Sequence, residues 1–267
     1  MIGFNTESNT PLLQQVQNKQ ESILEKLASG KRINSASDGS AAQQIIDRLT
    51  TEVEGNRQSI SNAFDGISLT QVSDGGLAGI NQDVNRIREL SVQSGNGLLN
   101  DSDREAIQAE VTQLQDNISQ TIEQTEFAGK SLLANDSKID FQVGANVGQN
   151  ISVGTQNVAA RLNDILNINL STAQGADDAL AIADTAAEFV VSARADLGAA
   201  QNQFESAARS LTQGDVNVAS AISRIQDTDF AQASSAKASV DILSQTSLAI
   251  QGIANQQQGQ VLSLLNG

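Results

Sequence analysis

The sequence predicts a mainly α-helical protein: an elongated coiled-coil rod with one small β-hairpin, in which the N- and C-terminal helices pair. Pro11 is the single proline among 267 residues, so nothing after it forbids very long helices. Apolar residues recur at three- and four-residue spacings over most of the chain, which is the period of an α-helix. Hydrophobic residues make up 39% of the sequence, with seven Phe and neither Trp nor Tyr. This composition favours narrow helical bundles over a thick core.

The first helix is predicted from apolar residues that lie on one face. Apolar residues follow steps of three and four residues at Leu13, Val16, Ile23 and Leu27, and Gln20 occupies the one polar position in this series. Such spacing is typical of an amphipathic helix. Gly30 ends the pattern, and residues 31–42 (KRINSASDGSAA) are interpreted as an irregular connector.

A second helix is predicted from near Val53 onward. Its apolar face comprises Ile60, Phe64, Ile67, Leu77, Ile80, Val84 and Ile87. Gly75 and Gly76 interrupt this helix at a cost of roughly 1 kcal/mol each relative to Ala. They therefore predict a bend or a close approach of another helix, and the Gly-Asn-Gly run at 95–97 predicts the end of the helix.

A third helix is predicted to begin with a capping box formed by Ser102 and Glu105. Its apolar face comprises Ile107, Val111, Leu114, Ile118 and Ile122. The only convincing strands follow, because apolar and polar residues alternate over 139–143 and again over 151–153 on either side of a turn at 144–149. From about Ala176 a long helix resumes, and its face comprises Ala183, Ala187, Val190, Leu197, Phe204, Ala208 and Leu211.

The C-terminal segment differs from the rest because residues 242–267 contain no charged side chain. Val240, Leu243, Ile250 and Ala254 fall on one side of the predicted helix. A second side carries Ile242, Ala249 and Ile253. An exposed helix normally carries charges opposite one apolar stripe. An internal core helix is one explanation, and assembly with further chains is the explanation that the terminal position favours.

Composition excludes several classes of function. The chain has no His and no Cys, so a His-based triad, a thiolate nucleophile and a soft-metal site are all ruled out. We expect no enzymatic activity and no cofactor. A net charge of −15 disfavours binding to nucleic acid, and no run approaches the 18 apolar residues of a membrane span. The N-terminal residues lack the basic start and apolar stretch of a secretory signal.

Several segments resemble bacterial flagellin, in order along nearly the whole chain. They are residues 27–38 (LASGKRINSASD), 69–94 (LTQVSDGGLAGINQDVNRIRELSVQS), 127–133 (FAGKSLL), 141–146 (FQVGAN), 224–230 (RIQDTDF) and 261–265 (VLSLL). The ordered set is far more specific than any one of its members.

The resemblance implies a subunit of the flagellar filament, secreted unfolded through the flagellar type III export channel and located outside the cell. Residues 1–40 and 226–267 would form the inner-tube helices (called D0), and residues 41–225 the surrounding rod (called D1), with the hairpin near 138–154. About twenty residues, roughly 154–175, stand where many flagellins insert large outer domains, so we expect the short form. Implied partners are further copies of the chain, an export chaperone, and the cap and hook-junction proteins.

Two sets of functional residues follow. Contacts within the assembled polymer are predicted for Leu13, Val16, Ile23, Leu27, Leu243, Ile250, Leu262, Leu264 and Leu265. The resemblance also implies that the innate immune receptor that senses flagellin, a Toll-like receptor, recognises Arg86, Leu90 and Glu110. Packing between subunits of the rod is the alternative role for Arg86 and Leu90, which lie one turn apart.

Three alternatives bear on the function. A hook–filament junction protein shares the terminal helices of flagellin, although the RIRELSVQS and FQVGAN segments favour flagellin. A flagellin with a zinc-protease insert needs an H-E-x-x-H helix, which a chain without His cannot form. An unrelated secreted coiled-coil scaffold would form discrete oligomers instead of helical tubes.

Overall fold

The computed structural model describes the backbone of residues 9–265. Its helices are α1 (Asn9–Ser29), α2 (Ala36–Ser94), α3 (Asp101–Gln124), α4 (Val158–Arg161), α5 (Ala173–Gln226) and α6 (Phe230–Leu265), with a 3-10 helix at Ile165–Asn167. Its strands are β1 (Glu126–Phe127), β2 (Lys130–Ser131), β3 (Ser137–Gln142) and β4 (Asn150–Thr155). The predicted mainly α class is confirmed.

The chain forms two compact units. The terminal unit draws on residues 1–53 and 216–267, and the central unit consists of residues 54–215. In the terminal unit α1 packs along α6, which confirms the predicted pairing of the N- and C-terminal helices. The face of α1 that carries Leu13, Val16, Gln20, Ile23 and Leu27 is half-buried, as its spacing predicts.

The connector between α1 and α2 is shorter than predicted. Helix α2 begins at Ala36, so the irregular segment ends there instead of at residue 42. Asp38 explains the early start, because its carboxylate accepts hydrogen bonds from the backbone N–H groups of Asn34 and Ser35, each at 3.0 Å. Such bonds satisfy donors that would otherwise be unpaired at a helix start. The helix is kinked at Gly39, whose φ of 165° and ψ of 93° are not helical. An irregular position therefore remains inside the predicted segment 31–42.

The core of the central unit lies between α2, α3, α5 and the hairpin. It is built on helix faces close to those predicted, and its fully buried large members include Leu77, Ile80, Val84, Ile87, Val111, Ile118 and Phe204. Residues 156–172 close one side of this core, where Leu162, Ile165 and Leu170 are fully buried. Gln115 holds the same segment by donating a hydrogen bond to the carbonyl oxygen of Ile165 at 3.0 Å.

Phe64 does not belong to the core, contrary to the prediction. Its side chain is 56% exposed, whereas Ala63 is fully buried. The interior side of this part of α2 carries small residues because the ring of Phe204 occupies the space beside Gly66. A Cβ on Gly66 would lie 2.5 Å from two atoms of that ring. The backbone of α2 therefore approaches α5 closely here.

The predicted hairpin is confirmed. β3 and β4 pair antiparallel, from Ser137 opposite Thr155 to Gln142 opposite Asn150. Phe141 fixes the hairpin to the helices because its ring meets Phe204 edge-on, with centroids 5.3 Å apart and planes at 87°. That is a favourable geometry for aromatic pairs. A second ladder, between the two-residue strands β1 and β2, was not predicted, since two residues are too short to show an alternation.

Two helix boundaries test the glycine and capping predictions. α2 ends at Ser94, just before the Gly-Asn-Gly run, as predicted. The predicted capping box is wrong by two residues, because Asn100 and Asp103 form it instead of Ser102 and Glu105. Asn100 is a strong N-cap residue in its own right, and it brings Asp101 into the first turn. The close approach predicted at Gly75 and Gly76 is found at Gly76, where a Cβ would lie 2.5 Å from Oγ1 of Thr125, the C-cap residue of α3.

The contact between Gly66 and Phe204 generates a stability prediction. Gly66→Ala should lower the free energy of unfolding of the central unit by about 1–3 kcal/mol, because the ring must shift within a packed core. Gly79→Ala is the matched control, since a Cβ there meets nothing within 4 Å. It should raise stability by about 0.5–1 kcal/mol through helix propensity. Denaturant unfolding of both variants provides the measurement, and equal effects would contradict the proposed packing.

Candidate assembly surface

The buried side of α6 is narrow and consists mostly of small residues. Its half-buried or buried positions follow three- and four-residue steps, and they include Ala233, Ala236, Val240, Ser244, Ser247 and Gln251. Val240, 3% exposed, is the one branched apolar residue among them. Alanine and serine let two helices approach closely, so α6 can pair with α1 without using its large side chains.

The large apolar side chains of α6 point away from this pairing. Ile242, Leu243, Leu248, Ile250 and Ile253 are each more than half exposed. Leu243 and Ile250 are thus placed on the surface, as residues available for assembly must be. Val240 was predicted to share their face and does not, because it lies on the side of α6 that is buried. The side chains of Leu262, Leu264 and Leu265, like that of Ala254, lie outside the described residues.

Polar contacts link α1 to α6 and set their alignment. Gln20 Nε2 donates to Asp241 Oδ1 at 2.8 Å, and Lys237 Nζ donates to the other carboxylate oxygen of Asp241 at 2.6 Å. Asp241 is the last charged residue of the sequence. Every later position in α6 therefore offers only neutral side chains to whatever packs there.

The two connectors next to these helices are bound to each other. Lys31 and Asp227 form an antiparallel bridge, and the Thr228 N–H donates to the Gly30 carbonyl at 2.9 Å. The Arg32 guanidinium donates to the carbonyl oxygen of Ile225 at 2.6 Å. These residues belong to two segments, 27–38 and 224–230, that the sequence singled out separately. Their pairing could not be read from either segment alone.

Asp38 adds a pH-dependent element to the first connector. The backbone N–H groups of Asn34 and Ser35 hold the pKa of the Asp38 carboxyl below its ordinary value. A carboxyl whose pKa is lower in the folded state stabilises that state above its unfolded pKa. The stabilisation is lost as pH falls through the folded pKa.

Arg86 and Glu110 form an exposed cluster on α2 and α3. Arg86 Nη2 and Nε donate to Glu110 Oε1 at 2.8 and 2.9 Å, and Nη1 donates to Glu89 Oε2 at 3.0 Å. The hydrogen bonds to Glu110 and then to Glu89 raise the pKa of the Arg86 guanidinium above its ordinary value. About half of each side chain of Arg86 and Glu110 remains open to solvent.

Leu90 does not share this surface. It is 2% exposed and belongs to the core of the central unit. Arg86 and Leu90 lie one turn apart along α2, but Leu90 also follows the buried Ile87 by three residues, so its side chain belongs to the core face. Direct contact of a partner with the Leu90 side chain is closed off in this conformation.

Within residues 9–265, no helix is both long and apolar enough to cross a membrane. The same part of the chain holds no group of three or more acidic, His or Cys side chains placed to bind a metal ion. Paired terminal helices that leave large apolar side chains uncovered are typical of structural subunits that associate with further chains.

Comparison with known families identifies which subunits these are. Residues 4–138 match the bacterial flagellin N-terminal helical region, and residues 180–265 match the bacterial flagellin C-terminal helical region. The chain belongs to the bacterial flagellin family, whose members are structural subunits of the flagellar filament. Members of this family polymerise with further copies of themselves, and the filament that they form is extracellular.

Relatives of similar length support this assignment. The chain is 34% identical to the flagellar filament 30.7 kDa core protein of Treponema maltophilum, over all of the chain and 95% of that relative. It is 36% identical to a flagellin of Bacillus subtilis, over 91% of each chain. By contrast, the match to a flagellin of Salmonella muenchen, at 41% identity, spans only 34% of that protein. The expected short form of flagellin is confirmed.

Solved structures share the fold. Bacillus cereus flagellin superposes with a TM-score of 0.53 at 26% identity, over 61% of this chain and 94% of that one. A putative flagellar hook-associated protein of Vibrio parahaemolyticus gives a TM-score of 0.61 at 16% identity, over 71% of this chain and all of that one. The second likeness shows a shared fold alone, so the junction-protein alternative gains nothing from it.

The position of Leu90 predicts a difference between two neighbouring substitutions. Leu90→Ala should lower the free energy of unfolding of the central unit by about 2–5 kcal/mol, because it leaves a cavity in the core. Arg86→Ala, one turn earlier on the exposed side, should change it far less. Denaturant unfolding compares the two variants, and similar losses would show that Leu90 is not a core residue.

Proposed function

We propose that the uncharged side of α6 forms the main contact between subunits in the filament. The observation that supports this most directly is that five large apolar side chains in the described part of α6 after Asp241 are uncovered. Burying each such side chain contributes about 1.5–3 kcal/mol. Within the terminal unit the contact between α6 and α1 leaves these side chains exposed. Further copies of the chain would therefore cover them.

The nine predicted assembly residues then have two different roles. Leu13, Val16, Ile23 and Leu27 stabilise the α1–α6 pair inside one subunit, since that face of α1 is half-buried. Leu243 and Ile250 contact neighbouring subunits. The side chains of Leu262, Leu264 and Leu265 lie outside the described residues, and we propose the same contact for them because they continue the uncharged segment.

The polymer is helical because these contacts are heterologous. The surface of α6 on one subunit meets a different surface on the next, and such head-to-tail contacts that do not close a ring generate a helical filament. We propose that the inner tube comprises residues 1–40 and 226–267, and the rod residues 41–225. The bridge between Lys31 and Asp227 lies near both boundaries and supports their general position, while residue 41 itself lies within α2.

We further propose that the chain is exported unfolded through the flagellar type III channel and is escorted by an export chaperone. The uncovered apolar side of α6 supports a chaperone, because an exposed patch of this kind otherwise promotes premature association. Outside the cell the subunit would meet the cap and the hook-junction proteins. Rotation of the assembled filament provides motility.

A role in immune recognition is a second, separate proposal. The flagellin-sensing Toll-like receptor would bind the exposed Arg86 and Glu110 on the soluble monomer, where both side chains are half open. Leu90 would contribute indirectly, by holding α2 in place beneath Arg86. In the filament the same surface can serve packing between subunits.

The assembly proposal predicts the effect of substituting the outward side of α6. The double variant L243Q/I250Q should raise the critical concentration for polymerisation at least tenfold, because two buried apolar side chains contribute about 3 kcal/mol or more. Deletion of residues 242–267 should abolish filaments and leave the central unit folded. Light scattering and electron microscopy measure polymerisation, and circular dichroism reports the fold.

Q245A is the matched control, since Gln245 is an exposed, uncharged residue of α6 without a large apolar side chain. It should polymerise normally. Amide hydrogen exchange along α6 should also slow markedly in the filament, because the helix is marginal without neighbouring subunits. Normal filaments from the truncated chain, or an unchanged critical concentration for L243Q/I250Q, would refute the proposed contact.

The receptor proposal predicts that Arg86→Ala and Glu110→Ala each weaken signalling by soluble monomer, since each removes an exposed polar group from the contact. Arg88→Ala is the control, because Arg88 is equally exposed on α2 and pairs with Asp184 on another side. A reporter cell line for the receptor measures the response. Unchanged signalling by both variants, with the fold intact, would disprove recognition at these positions.

A further inference from the structure

The turn between α2 and α3 carries an exposed Asn-Gly pair. The Leu99 N–H donates to the Asn96 carbonyl oxygen at 3.2 Å, so residues 96–99 form a β-turn with Asn96 in the first position. Asn96 and Gly97 are both exposed, and Leu98 is almost wholly so.

The side-chain amide of Asn96 is polarised by the turn. Its Oδ1 accepts a hydrogen bond from the Leu98 N–H at 3.0 Å. A donor at a carbonyl oxygen stabilises the negative charge that develops there when the carbon is attacked. The Leu98 N–H therefore keeps the Cγ of Asn96 electrophilic in the folded turn, as water does for a solvated asparagine.

The backbone nitrogen of Gly97 is the neighbouring nucleophile. Glycine has no side chain to hinder its approach to Cγ, and a Cβ built on Gly97 meets nothing within 4 Å. Among the described residues, no acceptor for the Gly97 N–H is found in the turns and loops. The attacking atom is thus open to solvent and not held by another group of the turn.

Arg104 acts on the same peptide group. Its Nη2 donates to the Asn96 carbonyl oxygen at 3.1 Å and to the Leu99 carbonyl oxygen at 3.5 Å, and its Nη1 donates to the carbonyl oxygen of Ser94. Arg104 is buried, with 6% of its surface exposed. When the Gly97 N–H loses its proton, the charge is shared between this nitrogen and the Asn96 oxygen. A guanidinium at that oxygen stabilises the anion.

We propose that Asn96 is a site of spontaneous deamidation that the folded turn accelerates. The Gly97 nitrogen gives up its proton to solvent and forms a bond to Asn96 Cγ. The bond from Cγ to Nδ2 breaks, and the nitrogen leaves as ammonia after taking up a proton. Water then opens the cyclic imide at either carbonyl, which leaves aspartate or isoaspartate at position 96.

Asn100 provides a control within the same turn. Its Oδ1 accepts a hydrogen bond from the Asp103 N–H at 3.0 Å as the cap of α3, and the residue after it is Asp101, which begins that helix. The nitrogen that follows Asn100 belongs to Asp101, whose side chain hinders its approach to Cγ, and it lies in the first turn of α3. Asn100 should remain an amide while Asn96 reacts.

The product differs from the starting chain in charge and in backbone. A carboxylate at position 96 adds one negative charge close to the buried guanidinium of Arg104. Isoaspartate also inserts a methylene group into the main chain of the turn, so the carbonyl that Arg104 and Leu99 share is displaced. Both products are separable from the parent protein by ion exchange.

The experiment incubates the full-length soluble monomer in one mildly alkaline buffer, with and without urea at an unfolding concentration. Trypsin releases residues 89–104 as one peptide that contains both Asn96 and Asn100, and fragment masses locate the gain of one mass unit. Deamidation at Asn96 should be severalfold faster in the folded chain than in urea. Asn100 should react far more slowly than Asn96 in the folded chain.

Two variants separate the contributions of Gly97 and Arg104 to the deamidation rate. Gly97→Ala should suppress the reaction in both conditions, because a side chain hinders the nucleophile. Arg104→Met should lower the deamidation rate of the folded chain to the rate seen in urea, and circular dichroism checks that this variant is folded. A folded wild-type rate equal to or below the rate in urea would overturn the proposal, and this comparison does not depend on any variant.

Discussion

The pairing of α1 with α6 through small side chains is the constraint on which the proposed function depends. Alanine and serine fill most of the buried side of α6, so the helix keeps its large apolar residues for other surfaces. If Leu243 or Ile250 lay in the contact between α1 and α6, the helix pair would be more stable, but these side chains would not be available to neighbouring subunits. A subunit that must remain soluble before it polymerises gains from keeping its strongest contacts for assembly. The absence of charge after Asp241 serves the same end, since burying an unpaired charge between subunits would oppose association.

The central unit follows a different rule, because its core is complete within one chain. Phe204 lies against Gly66 on one side and Phe141 on another, so α2, α5 and the hairpin all meet at one ring. With few aromatic residues available, a single buried Phe holds three elements in position. Small side chains along α2 make this possible because they leave room for the ring. For the same reason Phe64 lies outside the core, although the spacing of apolar residues predicted a core position for it.

The outcomes at Leu90, Val240 and Phe64 share one cause. A helical period assigns residues to faces, but it does not say which face meets a neighbour when two faces are both apolar. Leu90 lies one turn from the exposed Arg86 and is nevertheless buried, because it also follows the buried Ile87 by three residues and so continues the core face. Val240 and Leu243 are three residues apart, and the direction from which α1 approaches decides which of them is covered.

By itself the sequence determined the helices, the hairpin, the uncharged C-terminal segment and the resemblance to flagellin. These depend on local properties: period, glycine and proline positions, and the order of short motifs along the chain. Only the tertiary structure decided that residues 27–38 meet residues 224–230, that Phe204 packs on Gly66, and that Arg104 supports the turn at Asn96. Each of these contacts joins side chains or backbone groups whose approach depends on how helices pack, and packing is a property of surfaces that a linear pattern does not contain.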